Sequence, residues 1–216
     1  MRYAGASESW SISVGEWDQG VDAALWLRDV ERIPVGPEEV VPGPLELDPL
    51  PGPTIDPSAG STMVEGWLFW WRTVVGVQRA LPEDVRARLL ARPEGLASPT
   101  GLAALDAFPE LQRLAVARQP ELRAWHIARK RAGIEARRVA LGDGSRRVRS
   151  PEGEAVRAVE AETGQQVAPF RLRLLVLPVG EDRIRSAGDR TFLVPERVRG
   201  TEAYDRWLRR LVRALA

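Results

Sequence analysis

Cysteine is absent from this 216-residue sequence, and histidine and lysine occur once each, as His126 and Lys130. Each scarcity removes a chemistry. Without cysteine there are no disulfides, no thiolate metal sites and no thiol nucleophile. One histidine cannot supply a paired-histidine metal site or an HExxH helix. Lys130 lacks the surroundings of a GxxxxGK loop, so there is no P-loop, and Schiff-base chemistry would rest on this one residue. No metal and no cofactor are therefore expected. Long apolar runs are missing too. The most apolar stretch, residues 63–77, contains Glu65 and Arg72 and falls short of the roughly 20 apolar residues of a membrane span. Residues 1–14 lack a basic start followed by an apolar run, so no signal peptide is read there. The expectation is a soluble, cytoplasmic protein with no membrane contact.

Arginine is what the chain has in excess: arginine and lysine together number 31, against 30 acids. Coding bias in a GC-rich, bacterial genome is the simplest account. Arginine then carries information only where it clusters and its planar, permanently charged fork can act. The formal net charge of +1 conceals polarity. Residues 1–60 hold 3 basic and 11 acidic groups, whereas residues 121–216 hold 21 and 13. An apolar content of 44% suits a folded chain.

Periodicity divides the chain into four parts: 1–33, 34–60, 61–136 and 137–216. In the first, Trp10, Ile12 and Val14 alternate as in a strand, and residues 21–30 carry apolar positions at helical spacing. A strand through Leu25 and Leu27 is the alternative. Residues 34–60 hold eight prolines, which rules out a helix or an inner strand and leaves an extended arm. Val40, Val41, Leu45, Leu47, Leu50 and Ile55 recur along it, so the arm is expected to lay apolar side chains on its own body or on a partner. Residues 61–80 read as a central helix, apolar nearly all round, with Thr62 and Glu65 forming a capping box. Further helices are expected over 82–91 and 98–136, the last of them with a thin stripe of Leu122, Trp125, Ala128 and Ala132. Residues 137–149 read as a β-hairpin around Asp143 and Gly144. A helix from Ser150 to Gly164, a strong strand over 170–177, short strands at 183–185 and 191–194, and a helix capped by Thr201 complete the chain. The fold class is α+β: a helical N-terminal and middle part with the arm, then a small module of antiparallel sheet with two helices on one face.

Two features could carry function. Six of the eight tryptophans lie in residues 1–71, and tryptophan is rich in interface hot spots as well as cores. The leading expectation is a non-enzymatic interaction protein (an adaptor, an inhibitor or an assembly subunit) that binds a protein partner or itself through Trp10, Trp17, Leu45, Leu47 and Ile55. The second feature is a basic run of nine cations within residues 123–149. It supports an alternative, nucleic-acid binding by Arg129, Lys130, Arg131, Arg137, Arg138, Arg146, Arg147 and Arg149, with salt-sensitive phosphate contacts. No recognised nucleic-acid motif accompanies it. His126 has no carboxylate three or four residues away to orient it, and the serines lack a GxSxG setting. Acid pairs such as Glu38 with Glu39, Asp18 with Asp22 and Glu152 with Glu154 leave a carboxylate-dependent hydrolase as a remote third reading. No catalytic residue is assigned.

Overall fold

The structure, a computed structural model, describes residues 10–36, 38, 40–47, 51–54, 60–76, 101–141, 150–188 and 190–215. Among them are four strands and six α-helices. The strands are β1 (Ser11–Gly15), β2 (Arg171–Leu177), β3 (Arg185–Ser186) and β4 (Thr191–Pro195). The helices are α1 (Gln19–Val30), α2 (Ser61–Val74), α3 (Pro109–Ala117), α4 (Gln119–Leu141), α5 (Pro151–Thr163) and α6 (Glu202–Leu215). A 3₁₀ turn, Leu102–Ala107, precedes α3. The fold is α+β.

The sheet order is β1-β2-β4-β3. It is mixed rather than antiparallel: β1 and β4 both run parallel to β2, and only β3 is antiparallel to its neighbour. Strand β1 thus joins the C-terminal strands in one sheet. Pairing between strands more than 150 residues apart is set by tertiary packing, which local alternation does not record. Strand β2 is apolar on both faces because both are covered, as in the inner strands of parallel sheets. Leu172 and Leu174, with Val194 of β4, pack on Val156, Val159, Tyr204, Leu208 and Val212 of α5 and α6. Leu175, Leu177 and Leu193 face the opposite way, into the cluster of α1 and α2.

Local chemistry explains three of the six helix starts. The Asp18 carboxylate accepts from the backbone N–H groups of Gly20 and Val21 and caps α1. Ser150 caps α5, which ends at Gly164 with φ 67°, a left-handed stop that suits glycine. Thr201 Oγ1 accepts from Tyr204 N at the start of α6. The expected capping box of α2 is not formed: Gly60 occupies the cap and supplies no side-chain bond. Helix α2 is the buried centre. Trp67, Trp70 and Trp71 are fully buried, and the indole N–H groups of Trp67 and Trp71 donate to Ala24 O at 2.7 Å and Val40 O at 2.8 Å.

The described part of the Pro-rich arm lies on its own body. Val41 and Leu45 are core residues, and Val35, Val40 and Leu47 pack against them. Leu45 pairs with Val179 beyond the end of β2. Buried Arg28 donates to Pro42 O and Gly43 O, while Asp29 accepts from Leu45 N. Glu31 accepts from Thr54 N, and Arg118 bridges Glu31 to Gly52 O. These side chains take up backbone groups that an extended segment cannot satisfy by itself. Ile55 and the expected helix over 82–91 lie outside the described residues.

The expected hairpin over 137–149 is overturned in its first half. Residues 137–141 are the last turns of α4, and 142–149 lie outside the described residues. The change expected between residues 136 and 137 falls within this helix. Alanine and arginine favour helix there, and a helix already begun adds residues readily.

Candidate functional site

Strands β1, β2 and β4 are parallel, so their carboxyl ends share one edge of the sheet. In open α/β sheets that edge is the usual place for function. Here it carries ion pairs. Glu16 and Trp17 follow β1, and Glu196 and Arg199 follow β4. Helix α4 meets them with its inner face. Arg129 donates to Asp22 at 3.0 Å, to the Glu16 carbonyl at 2.9 Å and to Glu196 at 3.0 Å. His126 Nδ1 lies 2.8 Å from Asp22 Oδ2; a carboxylate only accepts, so this bond puts the imidazole hydrogen on Nδ1. Arg137 and Arg199 both pair with Glu16. Arg199 also reaches Glu152, to which the Tyr204 hydroxyl donates at 2.9 Å. Burial and the adjacent Glu152 carboxylate push the Tyr204 phenol well above its ordinary pKa, and Arg199 opposes them only in part.

This network couples elements. Asp22 belongs to the first turn of α1, so His126 and Arg129 fasten α4 to α1 across 104 and 107 residues of sequence. Trp17 completes the attachment. Its ring lies so close to Gly133 that a Cβ there would come within 2.8 Å, and the Arg137 guanidinium sits 4.7 Å above the same ring. Glu152 Oε2 and Arg129 Nε are buried and have no partner among the described residues. Every carboxylate of the network already faces an arginine, and among the described residues no group of three or more His, Asp or Glu is placed to hold a metal ion. A separate cavity of about 280 Å³ at the start of α2 is lined by Thr62, Met63, Phe108, Pro109, Glu110 and Leu111. Its described lining offers one carboxylate and no arginine.

The outer face of α4 is different. At about 100° per residue, Arg123, Ile127, Lys130, Arg131 and Ile134 fall within an arc of about 100°, with Arg138 inside it. Leu122, Trp125, His126, Arg129 and Gly133 lie on the other side and meet the body. Ile127 is 37% exposed and Ile134 49% exposed. With Val139 on α4 and Val116 on α3 they are the exposed large apolar side chains among the described residues. Arg123, Lys130 and Arg131 are exposed and form no ion pair among the described residues. Among the described residues Arg138 is held only by an exposed pair with Glu135, a contact of little worth in water.

The residues expected at a partner interface are thus dispersed. Trp10 is half-buried and stacks on Phe170; Trp17 lies beneath α4; Leu45 is in the core and Leu47 packs on it. Of the expected phosphate-binding cations, Arg129 and Arg137 are engaged by acids of the N-terminal part. Lys130, Arg131 and Arg138 face outward, and Arg146, Arg147 and Arg149 lie outside the described residues. Glu16 carries no signal in the sequence and Asp22 enters there only as half of an acid pair with Asp18; no local pattern connects either to α4. Sequence reasoning passed over Ile127 and Ile134, whose seven-residue spacing was there to be read. No protein-family model, curated protein or solved structure matches the chain. Among the described residues no helix is long and apolar enough to cross a membrane.

Proposed function

We propose that this is a non-enzymatic interaction protein that docks a protein partner on the outer face of α4. A cytoplasmic location goes with that reading. The observation that carries it is the row of exposed Ile127 and Ile134 on a helix of 23 residues whose inner face is fastened by ion pairs. A helix usually turns its apolar residues to the core; here isoleucines point to water while arginine and histidine point inward. Side chains of this kind, set on a rigid element, are what a docking surface requires.

Nucleic-acid binding by the same helix is the competing reading. It is disfavoured because Arg129 and Arg137 are spent on carboxylates and because isoleucines contribute nothing to phosphate contacts. The test is a photoreactive amino acid placed at 127 or 134 in the source cells, with position 157 on α5 as control. The expected result is a discrete protein adduct from 127 and 134, absent at 157 and lost when the other isoleucine becomes aspartate. Adducts to nucleic acid, or none at either position, would sink the reading.

A further inference from the structure

The charges around the isoleucines identify the chemistry of the occupant. Ile127 and Ile134 form the crest of α4, about 10 Å apart at 1.5 Å per residue. Arg123 and Lys130 flank the crest on one side, Arg131 and Arg138 on the other. No described carboxylate pairs with Arg123, Lys130 or Arg131. The result is an apolar row between two cationic rails, the second of them weakened where Arg138 pairs with Glu135. Resting on the docking reading above, we infer that the occupant is an acidic amphipathic helix, with leucine-like residues along one stripe and Glu or Asp on both flanks.

Three arguments support this occupant. A straight helix crest presents no free sheet edge, so an extended peptide finds no backbone partners there, whereas a second helix packs ridge into groove. Buried isoleucines reward an apolar stripe and not a phosphate backbone. The rails then select among amphipathic helices, because acids on both flanks meet cations and bases meet like charge. The same rule argues against a second copy of this chain, since two α4 crests in contact would set Arg123, Lys130, Arg131 and Arg138 against themselves.

The experiment uses two labelled helical peptides of 21 residues, about six turns at 3.6 residues each. Both carry leucines at seven-residue spacing on an alanine background. One has Glu on both flanks and the other has Lys. Fluorescence anisotropy with the full chain is read at low and moderate salt, beside a single-stranded oligonucleotide and a sedimentation run of the protein alone. The acidic peptide is expected to bind and the basic one to fail. Binding should weaken by at least about tenfold with Lys130→Glu plus Arg131→Glu, and similarly with Ile127→Ser plus Ile134→Ser. All four positions are exposed, so unchanged denaturation curves certify that the variants fold. Oligonucleotide binding lost on charge reversal but indifferent to the serine pair would overturn the inference in favour of nucleic acid. A dimer dissolved by the serine pair would overturn it in favour of self-association. If neither peptide binds while protein adducts persist at 127 and 134, the occupant is wrong and the docking reading stands. If the adducts are missing as well, both fall.

Discussion

The Pro-rich arm and helix α4 both interleave apolar residues with charge, yet the molecule uses them in opposite ways. In the arm, Val41 and Leu45 turn inward and charged side chains from α1 and α3's end hold the backbone in place. In α4, charged side chains turn inward and Ile127 and Ile134 turn out. Apolar content alone therefore does not locate an interface; the direction in which a rigid element points it does. The described part of the arm turns Val41 and Leu45 into its own body, whereas α4 spends its ion pairs on attachment and keeps its isoleucines free.

The sharpest way to break this contrast is to release the arm. Glu31 has a fully buried side chain and joins Arg118 to Thr54. Burial alone would lower the Arg118 pKa, but the bonds and charges of Glu31 and Glu121 raise it above its ordinary value, so the cation depends on its acids. Glu31→Ala should cost about 3–5 kcal/mol, because it removes the buried acid and leaves the guanidinium only Gly52 O and the half-exposed Glu121. Chemical denaturation measures it, and a loss no larger than that of a surface mutation would mean that the arm is not held as described. Leu45→Ala comes next. As a core side chain at 6% exposure it should cost about 2–5 kcal/mol. Ile127→Ala and Ile134→Ala should each change stability by less than about 0.5 kcal/mol. Equal costs at Leu45 and Ile127 would erase the distinction between an arm folded inward and a stripe left outside.

Legibility followed the range of the interactions. Strand β2, helix α5 between Ser150 and Gly164, and helix α6 with its Thr201 cap could be read because their signals lie within a few residues. The burial of the α2 tryptophans could be read because the helix is apolar on every side. The parallel pairing of β1 with β2 could not, since nothing in Trp10, Ile12 and Val14 specifies a partner 160 residues away. The Asp143–Gly144 turn signal also competes with the helical run before it: it predicts strand over residues 137–141, where helix propensity prevails. For the candidate site the failure was similar. The sequence offers His126 no orienting acid on its own helix, and Asp22 arrives from α1. The expected α4 stripe is Leu122, Trp125, Ala128 and Ala132, yet the structure leaves both alanines exposed and half-buries Arg129 and Gly133 instead.

A small, pH-dependent effect tests how the arm is tied to the far edge of the sheet. Glu181 accepts from Arg185 at 2.8 Å and takes a backbone hydrogen bond from Gly43 of the arm. The largest influence on its carboxyl is burial, which raises the pKa, but the Arg185 bond, the Gly43 bond and the charges of Arg185 and Arg183 together bring it below the ordinary value of 4.5. A carboxyl whose pKa is lower folded than unfolded binds its proton more readily in the unfolded chain. Its stabilisation is therefore present above the unfolded value and is lost as pH falls through the folded one. Glu181→Gln keeps the shape and removes the charge. Because the pair is partly open to solvent, the cost at neutral pH should be under about 1 kcal/mol. The gap between wild type and variant should close as pH drops below the ordinary carboxylate value. A gap that stays constant into the acid range would show that Glu181 holds Gly43 by shape alone, and the arm's outer tie would then owe nothing to charge.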